Sequence, residues 1–470
     1  MSLFSIAQEL SLVPKIESTA TELKLYDTDL LPSSFHKGRR EALRNLLPNR
    51  SVAVFFANPI RNRSNDVNYE YHQNPNFYYL SGLNEPNAVL LVFKDYIEIE
   101  GQRTNEIVFV QPRKPSEELW TGKRLGIEGV KNELGIATAF TSDSFADMSF
   151  DFSVIDSIFH DELRQDRMDD NTDRGDLASI QRHFLEKTNP LSEKRDGFSL
   201  KNLMGQLREV KLEEELVLLR KAIDLTCEAQ KEVMRAVLPG MKEHQTEAIV
   251  ECIFKNGGAE YPGFPSIVGG GENSCVLHYV TNRKTLLWDD LLVTDIGAEY
   301  HGYTADVTRT IPVSGEFSGE QKIIYQIVLE AQEAGIKAAK SGNKFWEPHN
   351  QAKEIIQKRL MELGIIKESK EVTQYFMHGS SHYLGLDVHD LGNYGNLTKG
   401  NVITVEPGIY IPKNAPCDPK WWNIGIRIED DILITDGNPE ILSACCPKLM
   451  HEIEALMKEE SLFNSIITKD

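Results

Sequence analysis

The sequence predicts an α/β domain followed by an α+β domain, and three observations carry that expectation. Short apolar runs bounded by turn residues alternate with helix-like segments over the first third of the chain. A charged stretch near residues 161–197 then breaks the pattern. Beyond it, helical periodicity separates strands that each hold a carboxylate within an apolar run.

Residues 51–57 (SVAVFFA), 77–82, 87–93 (NAVLLVF) and 106–110 read as strands because they are short, apolar and flanked by turn formers. Residues 119–134 read as a helix among them, which gives an N-terminal domain over 1–185. The segments DELRQDRMDDNTDRGDL and TNPLSEKRDG are charged and poor in large apolar groups. They read as a surface excursion, with a linker at 186–200. Asp169, Asn171 and Asp173 have the spacing of a calcium loop. Arg174 stands where such a loop needs glycine and Ile180 where it needs a bidentate acid, so no calcium site is expected.

The second domain covers 201–470. Leu216, Leu219, Ile223, Cys227 and Met234 recur at helical spacing until Pro239 and Gly240 stop the run. A second helix is expected over 245–256, before Gly257-Gly258. A third begins at Ser318, where Ser318 and Gln321 form a capping box, and a fourth covers 348–363. Strands are expected at 291–295, 304–313, 401–411 and 424–435.

Composition excludes some functions. Lys+Arg is 51 against Asp+Glu 71, and a net charge of -20 repels phosphate backbones, so no nucleic-acid partner is expected. No run of about 18 apolar residues is present, so no membrane span is expected. The opening MSLFSIAQELSLVPKIE has neither a basic segment ahead of an apolar one nor any arginine. The expected compartment is therefore the cytoplasm. The six cysteines form no C-x-x-C pair and read as small buried hydrophobes.

The chemistry lies in where the acids sit. Asp295 ends LLVTD, Asp306 lies in YTADVTRTIPV, Glu406 in VITVEPGIYI and Glu429 in IGIRIEDDILI. An ionised carboxylate in an apolar strand is costly unless a cation neutralises it. Arg309 and Arg427 could neutralise two at most, which leaves divalent metal. Four carboxylates and a bridging hydroxide balance two such ions to within one charge, and oxygen ligands with an imidazole suit manganese, cobalt or iron. Such a pair is a hydrolytic centre. In isolation each residue has a plainer reading: Arg427 and Glu429 as a structural ion pair, His378 and His382 as surface histidines. Three histidines within twelve positions (His378, His382, His389) are hard to attribute to packing.

The order DIGAEYHGYTADVTRT, FMHGSSHYLGLDVHDLG, VITVEPGIYI, IGIRIEDDILIT resembles the pita-bread metallopeptidases, specifically the aminopeptidase P family, over residues 201–458. SNDVNYEYHQNPNFYYLSGLNEPNAVLLV and EELWTGKRLG resemble that family's first domain. The resemblance implies a pita-bread catalytic domain and cleavage of the N-terminal Xaa-Pro bond of peptides through a hydroxide bridging two metal ions, with manganese expected. Asp295 would bind one ion, Asp306 and Glu429 would bridge both, and His382 and Glu406 would complete the shells. Glu406 would also act as general base. His389 would bond the substrate near the scissile carbonyl, His378 would stabilise the tetrahedral intermediate, and His278 would line the proline side. Arg427 and Tyr410 would support cluster and substrate. Asp66 would meet a substrate-side histidine, and Trp120 would reach a neighbouring subunit's cleft, which implies a homo-oligomer, dimer or tetramer. The alternative within the fold is a prolidase acting on Xaa-Pro dipeptides. A methionine aminopeptidase would need no large first domain, and a metal-free binding module would not retain every ligand.

Overall fold

The computed structural model describes residues 27–464 except 149, 151 and 171. The opening stretch and Asn171 of the calcium-like spacing lie outside the described residues. The chain divides into two units, Met1–Leu31 and Pro32–Asp470. Of the first, only residues 27–31 are described, with a turn at 28–29. All that follows concerns the second.

Its first part runs α1 (Ser33–Leu46), β1 (Ser51–Phe56), β2 (Asn62–Ser64), β3 (Val67–Asn68), α2 (Pro75–Ser81), β4 (Val89–Ile99), β5 (Gln102–Val110), α3 (Pro115–Thr121), α4 (Gly126–Glu133), β6 (Ala139–Thr141), β7 (Ser157–His160), α5 (Leu177–Thr188) and β8 (Arg195–Asp196). Six of these strands form one sheet in the order β6-β5-β4-β1-β7-β8. It is antiparallel at β5-β4-β1 and parallel towards both edges. Val52, Val54, Phe56, Leu91 and Phe109 sit in its core, completing the expected strands at 51–57, 87–93 and 106–110.

Four expectations are corrected here. Residues 77–82 are helical, not a strand: Asn74 caps α2 by accepting from the backbone N–H of Asn76 and Phe77. Pro75 opens the helix and Gly82 closes it with φ 73°. The helix expected over 119–134 is two short helices, because Gly122 (φ 87°) and Gly126 (φ 60°) take backbone conformations that break a helix. The charged excursion contains α5, whose Leu177, Ile180 and Phe184 are buried in the sheet's core. Those three residues keep helical spacing inside a polar composition that hides it. Residues 186–200, expected as a linker, hold the end of α5 and β8, which pairs with β7.

The second part continues with α6 (Ser199–Arg208), α7 (Glu213–Ala236), α8 (Glu243–Asn256), β9 (Tyr261–Pro262), β10 (Ile267–Gly270), β11 (Leu291–Ile296), β12 (Ala298–Tyr300), β13 (Tyr303–Thr304), β14 (Val307–Pro312), α9 (Gly319–Ala338), α10 (Glu347–Glu362), β15 (Val402–Val405), β16 (Gly408–Ile411), β17 (Ile424–Arg427), β18 (Asp430–Leu433), β19 (Glu440–Ile441) and α11 (Met450–Leu456). The four expected helices are α7 to α10, and Ser318 caps α9 through the expected box. Among the described residues no helix is long and apolar enough to cross a membrane. Only Cys227 and Cys446 are buried. Cys252 and Cys445 are exposed, so burial as small hydrophobes holds for a minority of the cysteines.

The expected long strands are each interrupted, and the interruptions carry the acids. Residues 304–313 break at Ala305-Asp306: β13 pairs with β12, whereas β14 pairs with β11. Residues 401–411 break at Glu406-Pro407: β15 pairs with β18, whereas β16 pairs with β17. Proline cannot donate to a ladder, so β15 ends there. Residues 424–435 break at Ile428-Glu429. At each break the acid's own N–H finds a partner away from the ladders: Asp306 on Asp431 Oδ2, Glu406 on Ser380 O, Glu429 on Thr308 O. Asp295 lies in β11 just before Gly297, where a Cβ would come 1.7 Å from Ala305 O. Only glycine lets the two crossing strands approach so closely.

Candidate metal centre

The strand breaks turn these acids into one cleft of about 530 Å³, lined by Asp295, Asp306, Glu406, Glu429, Arg427, His378, His382, His389 and His278. One wall is apolar, built from Phe264, Pro265, Ile267, Leu277, Val280 and Val388. Asp306, His382 and Glu429 each offer one ligand atom within 4.8 Å of the others.

Asp295 Oδ1, Asp306 Oδ1 and Glu429 Oε1 are buried without a hydrogen-bond partner, and so is Asp431 Oδ1. A buried lone pair left unpaired is costly. Burial, then the charges of Glu429, Asp295, Asp431 and Glu406, push Asp306 well above the usual carboxylate range. Glu429 is raised in the same way by burial, Glu406 and Asp295. Glu406 is pushed up to about 8 by burial, against the opposing charge of Arg427. Arg427 is the cation that reaches the cluster. Its guanidinium donates to Asp295 Oδ2 at 2.6 Å, to Tyr410 Oη at 2.9 Å and to Thr308 Oγ1 at 3.2 Å. Thr308 in turn donates to Glu429 Oε2 at 2.6 Å.

The histidines are held in defined tautomers. His382 Nδ1 donates to Tyr383 O at 3.1 Å, which leaves the Nε2 lone pair facing Asp306 Oδ2 at 3.4 Å and Glu406 Oε1 at 3.5 Å. Burial, reinforced by His389, lowers its pKa to about 4, so the ring is neutral and those approaches are not ion pairs. Lone pairs aimed at carboxylates across such distances are what a cation between them would satisfy. A ring N–H fixed on a backbone carbonyl is how metal-ligating histidines are oriented. The donor set is oxygen-rich with one imidazole and no thiolate, and it fits hard or borderline divalent ions.

His378, lowered to about 4 by burial and then by Arg427, donates from Nδ1 to Gly379 O and accepts at Nε2 from Tyr410 Oη at 2.9 Å. Tyr410, expected to bind substrate, is fully buried behind the wall and reaches the cleft only through His378 and Arg427. A Cβ at Gly408 would lie 2.4 Å from the Tyr410 hydroxyl, so glycine there makes room for it. His389 is exposed at the mouth, with its ring edge-on to His382 at 4.5 Å. His278 is exposed on the same rim.

Two expected residues lie away from the cleft. Asp66 is exposed at the β2-β3 turn, following Asn65 at φ 50°, and no hydrogen bond or ion pair joins it to His278 or His389 among the described residues. Trp120 is 89% exposed on α3, beside Leu119 at 87%. Arg309, expected to neutralise an acid of the cluster, instead donates to Asp430 Oδ1 at 2.7 Å. Sequence reasoning missed Asp431, whose Oδ2 accepts from Asp306 N–H at 3.2 Å and whose pKa burial raises well above normal. Its signal was available, since it stands two residues past Glu429, the same-face spacing of a strand. The hydroxyls of Thr308 and Thr404, which support Glu429 and Glu406, gave no such signal.

The model of metallopeptidase family M24 matches residues 217–436, and that of the aminopeptidase P N-terminal domain matches 36–152. The chain is 35% identical to the Xaa-Pro aminopeptidase of Escherichia coli (strain K12) over 432 residues, covering 89% of this chain and 96% of that one. It is 34% identical to the Xaa-Pro aminopeptidase of Haemophilus influenzae over 444 residues, covering 92% and 99%. The structure of E. coli aminopeptidase P with the inhibitor Pro-Leu superposes with a TM-score of 0.81 at 34% identity, covering 91% of this chain and 98% of that one.

Proposed function

Because this chain belongs to metallopeptidase family M24, in the branch with the aminopeptidase P N-terminal domain, we propose that it is an Xaa-Pro aminopeptidase, a metal-dependent hydrolase that releases the first residue of peptides with proline second. The observation that carries the chemistry is the set of buried carboxylate oxygens without partners, gathered around one neutral imidazole. The prolidase alternative is set aside, since relatives matched over nearly their whole length are Xaa-Pro aminopeptidases.

In this reading Asp295, Asp306, His382, Glu406 and Glu429 hold two divalent ions, with manganese the expected metal. Divalent ions there supply polarisation of a peptide carbonyl and acidification of water. Glu406 is the proton acceptor. Among the described residues its only side-chain donor is Thr404 Oγ1 at 3.4 Å, so the carboxylate can take a proton and pass it on. Arg427 orients Asp295 and Tyr410, and Tyr410 fixes the His378 ring at the cleft wall. The one N–H of that neutral ring rests on Gly379 O, so His378 stabilises charge developing on the substrate oxygen by releasing that N–H to it. His389 and His278 meet the peptide at the mouth, and the apolar wall receives its side chains. The full exposure of Leu119 and Trp120 supports a homo-oligomer, dimer or tetramer.

The test offers purified, manganese-loaded protein Gly-Pro and a longer Xaa-Pro-Pro peptide. Release of the first residue from the longer peptide is expected. Preference for the dipeptide would turn the reading to prolidase, and no cleavage of either with metal bound would end it.

A further inference from the structure

The loop that bears His389 is a run of bends over 385–389, anchored by the two acids that flank the histidine. Asp390 is 2% exposed, accepts from Lys211 Nζ at 2.8 Å and is paired with Arg208. Its backbone N–H closes the loop on Tyr383 O at 2.9 Å. Arg208, also 2% exposed, donates further to Asp387 Oδ2 at 2.9 Å and to Asn76 Oδ1 of α2 at 2.8 Å. Gly385 is part of the same fit, since a Cβ there would lie 2.2 Å from Asp390 Oδ2. Burial opposes the charge on Asp390, yet Arg208 and Lys211 outweigh it and hold its pKa below normal.

Two cations and an acid taken out of water are weak evidence for stability, because well-packed apolar side chains do as well or better at such sites. What the cluster supplies that apolar packing cannot is directional bonds on both sides of one residue, His389. We propose that Arg208 and Lys211 are positioning residues for Xaa-Pro cleavage: through Asp387 and Asp390 they hold His389 at the cleft mouth, and through Asn76 Arg208 ties that position to the first domain. The inference rests on the reading of His389 as a group that meets the peptide.

The test uses the full chain, loaded with manganese, as wild type, Arg208→Lys, His389→Ala and the double variant. Arg208→Lys keeps the charge and loses the fork. It is expected to lower kcat by about 10- to 100-fold with KM changed less than about threefold. In the His389→Ala background the same substitution is expected to cost less than about twofold, because the residue it positions is gone. Hydrogen exchange, read with and without metal, is expected to speed up in 384–391 and nowhere else. A kcat within about twofold of wild type overturns the proposal, as do multiplicative losses in the double variant or faster exchange spread over the chain. Should Arg208→Lys fail to fold, Asp387→Asn at the rim and Asn76→Ala replace it in the same cycle, and their inertness overturns the proposal. A wild-type protein that cleaves no Xaa-Pro peptide defeats the functional reading instead, and the exchange experiment then decides the positioning role alone.

Discussion

Glu429, Asp430 and Asp431 are consecutive and buried, yet their carboxylates have opposite surroundings. Asp430 accepts from Arg309 Nη2 at 2.7 Å, Lys448 Nζ at 2.6 Å, Gln332 Nε2 at 2.8 Å and Ser443 Oγ at 2.7 Å. Burial would raise its pKa, but Arg309 and Lys448 outweigh that effect and hold it at about 2. Glu429 and Asp431 each keep an oxygen with no partner, and burial drives both pKa values well up. One side of the strand is neutralised by the protein's own cations. On the other, each carboxylate keeps an oxygen that meets no donor among the described residues. Buried charge alone therefore marks nothing; buried charge without a partner marks the site.

The comparison can be broken most directly by removing one acid from each side. Asp306→Ala or Glu406→Ala is expected to abolish turnover, exceeding the roughly 100- to 1,000-fold that loss of a single oxyanion donor costs. Metal-free folding should be no weaker, because a like charge has been removed. Near-normal peptide cleavage by either variant would show that the site is misassigned. Asp430→Ala is expected to leave Arg309 and Lys448 buried and unpaired and to cost about 3–5 kcal/mol of stability. Urea denaturation of the metal-free protein measures it, and a loss below about 1 kcal/mol would dissolve the contrast.

The two sides should also respond to pH with opposite signs. Glu406 has a folded pKa raised to about 8, so its contribution is complete below the unfolded value and is lost as pH rises through 8. His378 and His382, lowered to about 4, oppose this only below about pH 6.5, where the unfolded imidazoles begin to protonate. Between pH 6.5 and 8 the metal-free protein should therefore gain stability as pH falls, by about 1.4 kcal/mol per unit for each proton taken up. Saturating manganese should flatten that slope and raise Tm. Melting curves with chelator and with manganese would decide, and identical slopes would refute the assignment. Asp430 behaves in the reverse sense: its contribution is present above about pH 4 and lost as pH falls towards 2.

The smallest effect belongs to the surface. Trp120→Ala should change the stability of the subunit by no more than about 0.5 kcal/mol. It should lower the assembled mass in light scattering. An unchanged mass would remove Trp120 from the proposed contact.

Much of this was legible along the chain. The five expected ligands, Asp295, Asp306, His382, Glu406 and Glu429, do line one cleft, and the helices α7 to α10 follow their apolar periodicity and, at Ser318, their cap. What misled was local. Residues 77–82 are aromatic and short, as strands are, while the deciding signals, Asn74, Pro75 and Gly82, stand at their margins. The apolar positions of α5, Leu177, Ile180 and Phe184, follow directly on the charged run at 161–176, so composition outvoted spacing. The long acidic strands looked continuous because nothing in an apolar run marks where a strand changes partners, except Pro407 and Gly297.

By itself the sequence determined the chemical inventory: four acids within apolar runs, histidines at short intervals, glycines where backbones cross, and helices written in their periodicity. Tertiary structure alone decided which acids would be neutralised. Arg309 reaches the Asp430 carboxylate across 121 residues, while from neighbouring Glu429 it takes only the backbone carbonyl and leaves the carboxylate to the cleft. Side chains alternate faces along a strand, so adjacent carboxylates enter different surroundings, and only the packing of distant segments decides what each one meets.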